Sequence, residues 1–209
     1  MTAPGRARSL PGAIEARPRA VIFDLDGTLT EPLLDFEAIR REIGIAPGLP
    51  IIEALEGRPD AERARAEVIL RRHELAAIDA AVLADGCLEL LALLAERRVP
   101  VAILTRNMRD AVASFTRRFE LTFAAVYTRE DGPPKPSPHG ARLLCETMGT
   151  PPAETLGIGD YKYDVIAARD AGCRTALVCH PRPEDLSSWG SPDLVVRSLR
   201  ELLPLWRDD

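Results

Sequence analysis

Short apolar runs alternate with segments of helical periodicity along most of this chain. A short apolar run bounded by turn residues predicts a buried strand, whereas apolar residues that recur every three or four positions predict a helix. Because single helices separate the strands, the pattern predicts an α/β fold: one parallel sheet with right-handed crossovers and helices on both faces. Strands are predicted at 21–23, 100–104, 124–127, 155–158, 175–178 and, as a short edge strand, 194–196, and helices at 86–97, 108–119, 139–148 and 164–171.

The interval that follows the first strand breaks this alternation, because it is helical in pattern and contains no apolar β-run. It predicts helices over 35–45, 51–56 and 60–83, which together form a small inserted cap of residues 31–83. The core would then comprise residues 19–30 and 84–209, after a flexible Pro-, Gly- and Arg-rich tail of residues 1–18. In the longest cap helix, six residues recur at helical spacing and are predicted to pack on the other cap helices: Ala61, Ala64, Val68, Leu75, Ile78 and Val82.

Two short connections join the predicted cap to the core. Pro32 restricts the backbone of the residue before it, and Ala84, Asp85 and Gly86 form a second joint of small residues. We expect these connections to act as hinges for closure of the cap.

Two aspartates stand at the end of the first predicted strand, in the string VIFDLDGTLT. Gly27 allows the chain to turn there, so Asp24 and Asp26 lie at the carboxyl end of the strand, where α/β proteins place ligands. Alternate residues of an extended segment point the same way, so both carboxylates can address one ligand, one as a nucleophile and the other in proton transfer. This segment alone also fits an Asp-Gly turn that closes a hairpin with both acids in solvent.

Composition narrows the class of protein. The chain has 209 residues with 46% hydrophobic content, enough for a core domain with a small insertion. Its net charge of -5 argues against nucleic acid as the main partner, and it has no apolar stretch long enough to span a membrane. The four cysteines lie in apolar contexts without metal-ligand spacing, which favours small buried residues in a reducing compartment. This composition fits a cytoplasmic enzyme, and it leaves open whether the protein is a monomer or a homodimer.

Polar residues also end the later strands. Thr105 ends the strand in VAILTRN, Lys135 lies in the proline-stiffened loop PPKPSP, and Asp160 and Asp164 follow the strand in LGIGDYKYD. In this order and spacing, the chain resembles the haloacid dehalogenase superfamily of phosphohydrolases, in particular its phosphoglycolate-phosphatase-like branch, over roughly residues 20–200.

The resemblance implies a Rossmann-like α/β core with a helical cap and assigns a role to each motif. Asp24 resembles the family's nucleophile and Asp26 its general acid and base. Thr105 resembles the phosphate-binding threonine and Lys135 the lysine that neutralises the phosphate. A threonine is nevertheless common at a strand end or helix cap, so Thr105 also has a structural interpretation.

The resemblance also implies a Mg²⁺ site, since a hard divalent cation prefers oxygen ligands. Asp24, Asp160 and the backbone carbonyl of Asp26 would supply an oxygen set like the family's. Asp164, one helical turn beyond Asp160, would orient a water at the metal or a neighbouring cation. Asp164 is equally well explained as a helix cap.

Basic residues near the motifs offer further candidates. Lys135 and Lys162 are the only lysines among 27 basic residues, and both lie in motifs. Lys162 is interpreted as a solvated loop residue or as a charge that helps to neutralise the metal-side acids. Arg106, next to Thr105, is the best candidate for a further contact with substrate.

Charged cap residues are predicted mainly on the surface. Glu67 and Arg71 have the spacing of an ordinary surface pair, and Arg72, His73 and Glu74 are predicted on a solvated face.

These motifs favour hydrolysis of a small phosphorylated metabolite, phosphoglycolate-like or a sugar phosphate, through an aspartyl-phosphate intermediate that requires Mg²⁺. Two alternatives remain: a phosphomutase of the β-phosphoglucomutase type, and a non-catalytic binding protein on the same scaffold. The short cap without lysine disfavours the mutase, since such enzymes usually hold their intermediate with cationic cap residues. The motifs indicate the reaction but do not identify the leaving group of the substrate.

Overall fold

The computed structural model describes residues 16–32, 34–179 and 186–207. Six strands form one parallel sheet in the order β3-β2-β1-β4-β5-β6, so the first strand lies at the centre between β2 and β4. The strands are β1 (Ala20–Phe23), β2 (Val101–Leu104), β3 (Ala125–Tyr127), β4 (Thr155–Gly159), β5 (Arg174–Val178) and β6 (Leu194–Val196). All six correspond to predicted strands.

Seven α-helices connect or flank these strands in the described parts of the chain: α1 (Phe36–Ile43), α2 (Ile51–Leu55), α3 (Asp60–Ala80), α4 (Cys87–Glu96), α5 (Arg109–Arg118), α6 (His139–Thr147) and α7 (Lys162–Ala171). Short 3-10 helices occur at Pro152–Glu154, Ser187–Trp189 and Leu199–Leu205. No helix in the described ranges is long and apolar enough to cross a membrane.

Both faces of the sheet are covered by helices. Side chains alternate between faces along a strand, so Val21 and Phe23 of β1 join one core cluster with α4, α5 and the last 3-10 helix. Ile22 joins the opposite cluster, which includes residues of α6 and α7. The burial of β1 on both faces explains why its sequence is a continuous apolar run. The predicted α/β fold with a helical insertion after the first strand is confirmed.

The insertion has an apolar cluster of its own. Six buried residues from α1, α2, α3 and the loops between them pack together: Ile39, Ile45, Ile51, Leu55, Ala66 and Leu70. The two connections to the core also pair with each other through an antiparallel bridge between Thr30 and Leu83. The Glu31 amide donates to the Val82 carbonyl at 2.9 Å, and the Ala84 amide donates to the Leu29 carbonyl at 3.0 Å. Hinge motion at this paired connection, and a separate cap over residues 31–83, stay predictions.

The predicted apolar stripe of α3 is wrong. Val68 is 69% exposed and Val82 is 54% exposed, Ala61 and Ala64 are also exposed, and Leu75 is half-buried. Of the six predicted residues, Ile78 alone is buried. The buried face is instead Ala66, Ile69, Leu70, Glu74, Ala77 and Ile78.

Two features of α3 explain the error. Alanines are spread around this helix, so more than one apolar face has helical spacing. The helix also packs on two partners, α1 in the insertion and α5 in the core, and it ends at Ala80, before Val82.

The chain ends and the cysteines complete the fold. Residues 1–15 of the predicted tail lie outside the described residues, but Pro18 is buried and its carbonyl accepts a hydrogen bond from Trp206 Nε1 at 3.0 Å. Cys87, Cys145 and Cys173 are buried and Cys179 is half-buried, and no disulfide occurs among the described residues. The prediction that the cysteines serve as small buried residues is confirmed for Cys87, Cys145 and Cys173.

Candidate functional site

The candidate site lies at the carboxyl ends of the three central strands. Asp24 follows β1, Thr105 follows β2 and Asp160 follows β4. The Asp24 amide donates to the Ile158 carbonyl at 2.9 Å, which extends the pairing of β1 and β4 and fixes the position of Asp24. The parallel sheet therefore brings together polar residues that are far apart in the sequence.

Lys135 is the central cation of this site. Its ammonium donates to Asp24 Oδ1 and to Asp164 Oδ1, each at 2.5 Å. The residue is 3% exposed, so its charge acts at low local dielectric. Burial alone would lower the pKa of Lys135, but the charges of Asp164 and Asp24 outweigh it and raise the pKa above the ordinary lysine value. Lys135 is thus held as a cation against Asp24.

Three carboxylates form a cluster around this ammonium. Oxygen atoms of Asp24, Asp160 and Asp164 all lie within 4.8 Å of one another. Glycines make the close approach possible: a Cβ on Gly27 would lie 2.3 Å from Asp160 Oδ2, and one on Gly159 would lie 2.1 Å from the Asp164 Cβ. Gly27 also has a φ of 81°, which favours glycine.

The cluster carries more negative charge than the lysine neutralises. Burial raises the pKa of Asp24 to about 7. The charge of Lys135 lowers this pKa, and the charge of Asp164 raises it. Burial, followed by the charges of Asp164 and Asp24, raises the pKa of Asp160 to about 8. With all three acids ionised, one ammonium leaves two negative charges in a buried site. A set of hard oxygen ligands with two uncompensated charges fits a divalent cation such as Mg²⁺.

Asp26 lies in a different environment and has a partner that the sequence analysis missed. Asn107 Nδ2 donates to Asp26 Oδ2 at 2.9 Å, and the Asn107 amide donates to Thr105 Oγ1 at 3.1 Å. Asn107 is 3% exposed. Burial raises the pKa of Asp26, against the lowering effects of Asn107 and Lys135. A polar residue two positions after Thr105 at a strand end was the signal that could have identified Asn107.

Asp164 makes one contact at a helix start and one contact with a cation, and its role beside a metal stays a prediction. Its Oδ2 accepts from the Tyr161 amide at 2.9 Å, as a residue near a helix start does, while its Oδ1 binds the neighbouring cation Lys135. Lys162 is the first residue of α7 rather than a loop residue. Its ammonium lies 5.7 Å and 5.6 Å from the ring centroids of Tyr161 and Tyr163.

Arg106 connects the core to the insertion. Its guanidinium donates to Glu53 on α2 at 2.9 and 2.6 Å, and also to the Lys135 carbonyl. It lies over the ring of Tyr163, 5.1 Å from the centroid. Arg106 therefore lies beside the site as expected, with its guanidinium engaged by Glu53, and its contact with substrate stays a prediction.

A second connection was not predicted. Arg129, in the loop after β3, donates to Glu74 Oε1 at 2.6 Å and to Glu67 Oε1 at 2.7 Å. The predicted surface pair of Glu67 with Arg71 is wrong, since Arg71 pairs with Asp110 at 2.6 Å. Glu74 is also buried rather than solvated. Spacing within α3 does not indicate these pairs, because the partners Arg129 and Asp110 lie outside the insertion, far along the chain from α3.

The structure thus brings Asp24, Asp26, Thr105, Lys135, Asp160 and Asp164 into one site.

Comparison with known proteins identifies the family of the chain. A model of the haloacid dehalogenase-like hydrolase family matches residues 18–172. The N-acetylmuramic acid 6-phosphate phosphatase of Pseudomonas aeruginosa is 29% identical over 90% of this chain and 94% of its own length. The phosphoglycolate phosphatase of Pseudomonas putida is 29% identical over 96% of this chain and 83% of its own length.

Solved structures show the same fold. The crystal structure of a hydrolase from Pseudomonas syringae matches with a TM-score of 0.75 at 22% identity, and covers 89% of this chain and 96% of that chain. The family match spans well over half of the chain and includes every residue of the site. The resemblance predicted from the motifs is confirmed: the chain belongs to the haloacid dehalogenase-like hydrolase family.

Proposed function

We propose that this protein is a Mg²⁺-dependent phosphatase that hydrolyses a small phosphate monoester through a phosphorylated Asp24. The observation that carries the proposal is the contact of Asp24 with the buried Lys135 inside a cluster of three carboxylates. A carboxylate that attacks an anionic phosphate ester needs positive charge next to it, because the two anions repel each other. The phosphatases among its relatives support the same reaction.

In the first step, an Asp24 oxygen forms a bond to phosphorus as the bond from phosphorus to the leaving oxygen breaks. Lys135 neutralises charge on Asp24 and on the phosphoryl oxygens, and the Thr105 hydroxyl donates to one of those oxygens. Asp26 gives its proton to the leaving oxygen. The raised pKa of Asp26 supports this role, since the carboxyl must be protonated when the ester arrives.

In the second step, a water attacks phosphorus and its proton passes to Asp26, which is now a carboxylate. The bond from phosphorus to Asp24 breaks, and Asp24 returns to its ionised form. Asn107 holds Asp26 in place during both transfers through its 2.9 Å hydrogen bond. One acid thus serves as donor in the first step and as acceptor in the second.

Mg²⁺ would supply the positive charge that the lysine alone does not. Asp24, Asp160 and the backbone carbonyl of Asp26 would hold it, with Asp164 next to them in the cluster.

Phosphate release tests this function. The purified protein is assayed with a panel of small phosphate monoesters in the presence of Mg²⁺, and again in excess chelator. We expect release from at least one ester, loss of release in chelator, and recovery when Mg²⁺ is restored. Isomerisation of a sugar phosphate without release would indicate a mutase, and binding without any turnover would indicate a non-catalytic protein.

The acid cluster also predicts how stability depends on pH. The folded-state pKa values of Asp24, about 7, and Asp160, about 8, lie above the ordinary aspartate value. The folded protein therefore binds more protons than the unfolded chain, and these acids stabilise the metal-free fold fully only below about pH 4. Their contribution is lost as pH rises through about 7 to 8, where the carboxyls of Asp24 and Asp160 become ionised.

Mg²⁺ is expected to raise the Tm by several degrees more at about pH 8 than at about pH 5, because it offsets repulsion that exists only when the acids are ionised. Thermal unfolding at both pH values measures this difference. Asp160→Asn should raise the metal-free Tm at the higher pH and reduce the effect of Mg²⁺. An equal Mg²⁺ effect at both pH values would argue against a metal at this cluster.

A further inference from the structure

Glu74 is a buried acid that the proposed mechanism does not use. It lies on α3, and the residue is 5% exposed. Its Oε1 accepts from Arg129 at 2.6 Å, but its Oε2 is buried and has no hydrogen-bond partner among the described residues. A buried carboxylate oxygen without a partner is costly, so such an atom in a folded protein calls for an explanation.

Glu74 lies near the catalytic acids. Burial raises the pKa of Glu74 to about 7, Arg129 opposes this effect, and the charge of Asp26 adds to it. The Arg129 backbone amide donates to the Asn107 carbonyl at 3.3 Å, and the Asn107 side chain donates to Asp26, so Arg129 links Glu74 to the site. Arg129 also donates to the backbone carbonyl of Arg106 at 3.2 Å, next to Thr105. The insertion thus presents Glu74 to the core beside the candidate phosphate site.

The cations around Glu74 are already paired with carboxylates. Arg106 pairs with Glu53, Arg129 with Glu67 and Glu74, and Arg71 with Asp110. A leaving group that carries a carboxylate would have to break one of these pairs and approach Glu74 as a like charge. A leaving group that carries a hydroxyl would instead give the Glu74 Oε2 a donor and leave every pair intact.

We infer that Glu74 is a specificity-determining residue that accepts a hydrogen bond from a hydroxyl of the leaving group, so the substrate is a phosphate monoester of a polyol or sugar. This inference rests on the proposed phosphatase function. It assigns to the insertion one acid that selects hydroxylated leaving groups and rejects carboxylated ones.

Three esters of nearly equal size test the inference on the wild-type protein: 2-hydroxyethyl phosphate, ethyl phosphate and 2-phosphoglycolate. We expect kcat/KM for 2-hydroxyethyl phosphate to exceed that for ethyl phosphate by about tenfold, since a site that pairs with a hydroxyl discriminates against its absence. The ratio for 2-hydroxyethyl phosphate over 2-phosphoglycolate should be at least as large.

Glu74→Gln provides a second test, because it should remove most of the preference for the hydroxylated ester. The glutamine carbonyl can still accept from Arg129, but its amide then presents a donor where Oε2 was an acceptor. The preference for 2-hydroxyethyl phosphate over 2-phosphoglycolate should fall by about tenfold. Glu67→Gln is the matched control, because Glu67 also pairs with Arg129 but has a side chain that is 52% exposed, and it should leave the ratio unchanged.

The outcomes distinguish the role of Glu74 from the phosphatase function. Phosphate release with equal kcat/KM for 2-hydroxyethyl and ethyl phosphate would overturn the role of Glu74 and leave the phosphatase function standing. An unchanged ratio in a well-folded Glu74→Gln protein would have the same meaning. Absence of release from every ester, including the wider panel, would overturn the phosphatase function and this inference with it.

Discussion

Replacement of Asp24 by asparagine is expected to abolish phosphate release and to leave the fold intact. An amide has no anionic oxygen to attack phosphorus, so the substituted side chain cannot act as the nucleophile. Loss of a nucleophile of this kind reduces kcat by about a thousandfold or more. The fold should persist because asparagine has the same shape and relieves repulsion with Asp160 and Asp164, which offsets the lost pairing with Lys135.

Turnover and thermal unfolding of the Asp24→Asn protein measure the two parts of this prediction. Asp79→Asn is the matched control, because Asp79 is an exposed aspartate on α3, away from the acid cluster. The control should have wild-type activity. Substantial turnover by well-folded Asp24→Asn protein would show that another residue is the nucleophile.

Lys135→Arg is expected to keep the positive charge but to lose most of the activity. The ammonium contacts Asp24 and Asp164 together, and the residue is 3% exposed, so the site accommodates a compact cation. A guanidinium is broader and presents its donors in a plane, which prevents it from replacing both contacts. We expect both kcat and kcat/KM to fall by roughly a hundredfold, or about 2.7 kcal/mol of transition-state stabilisation.

Lys162→Arg is the control for this substitution, because Lys162 is the other lysine of the chain. Its ammonium lies over the rings of Tyr161 and Tyr163, and an arginine can occupy the same position over aromatic rings. Its kinetic constants should change little. Near-wild-type turnover by Lys135→Arg, or a larger loss from Lys162→Arg, would show that Lys135 does not have the phosphate-neutralising role.

The fold and the acid cluster were predictable from the sequence because both depend on local patterns. β1 is buried on both faces, so its sequence is a continuous apolar run that indicates a central strand. Parallel strands place their carboxyl ends at one edge, so the positions of Asp24, Thr105 and Asp160 follow once the strands are known.

The contacts between the insertion and the core were not predictable in this way. Arg106 with Glu53 and Arg129 with Glu74 join residues more than 50 positions apart, and nothing in the local pattern specifies such partners. The buried face of α3 depends on the same contacts, because the helix packs Glu74 inward to meet Arg129. Sequence reasoning placed Glu74 in solvent because an isolated glutamate on a helix is usually exposed.

The covalent intermediate is the central claim of the mechanism, and Asp26→Asn gives access to it. Asp26 is needed to protonate a poor leaving group, but p-nitrophenyl phosphate has a leaving group that departs without protonation. The first step should therefore persist with this ester, whereas the second step should be slow because no carboxylate accepts the proton of the attacking water. The backbone carbonyl of residue 26 is unchanged by the substitution.

Rapid mixing of Asp26→Asn protein with p-nitrophenyl phosphate and Mg²⁺, followed by acid quenching and peptide mass spectrometry, tests this claim most directly. We predict a burst of nitrophenolate equal in amount to the active sites, slow turnover afterwards, and a phosphoryl group on the peptide that contains Asp24. A phosphoryl group on any other residue, or steady wild-type turnover without a burst, would contradict it.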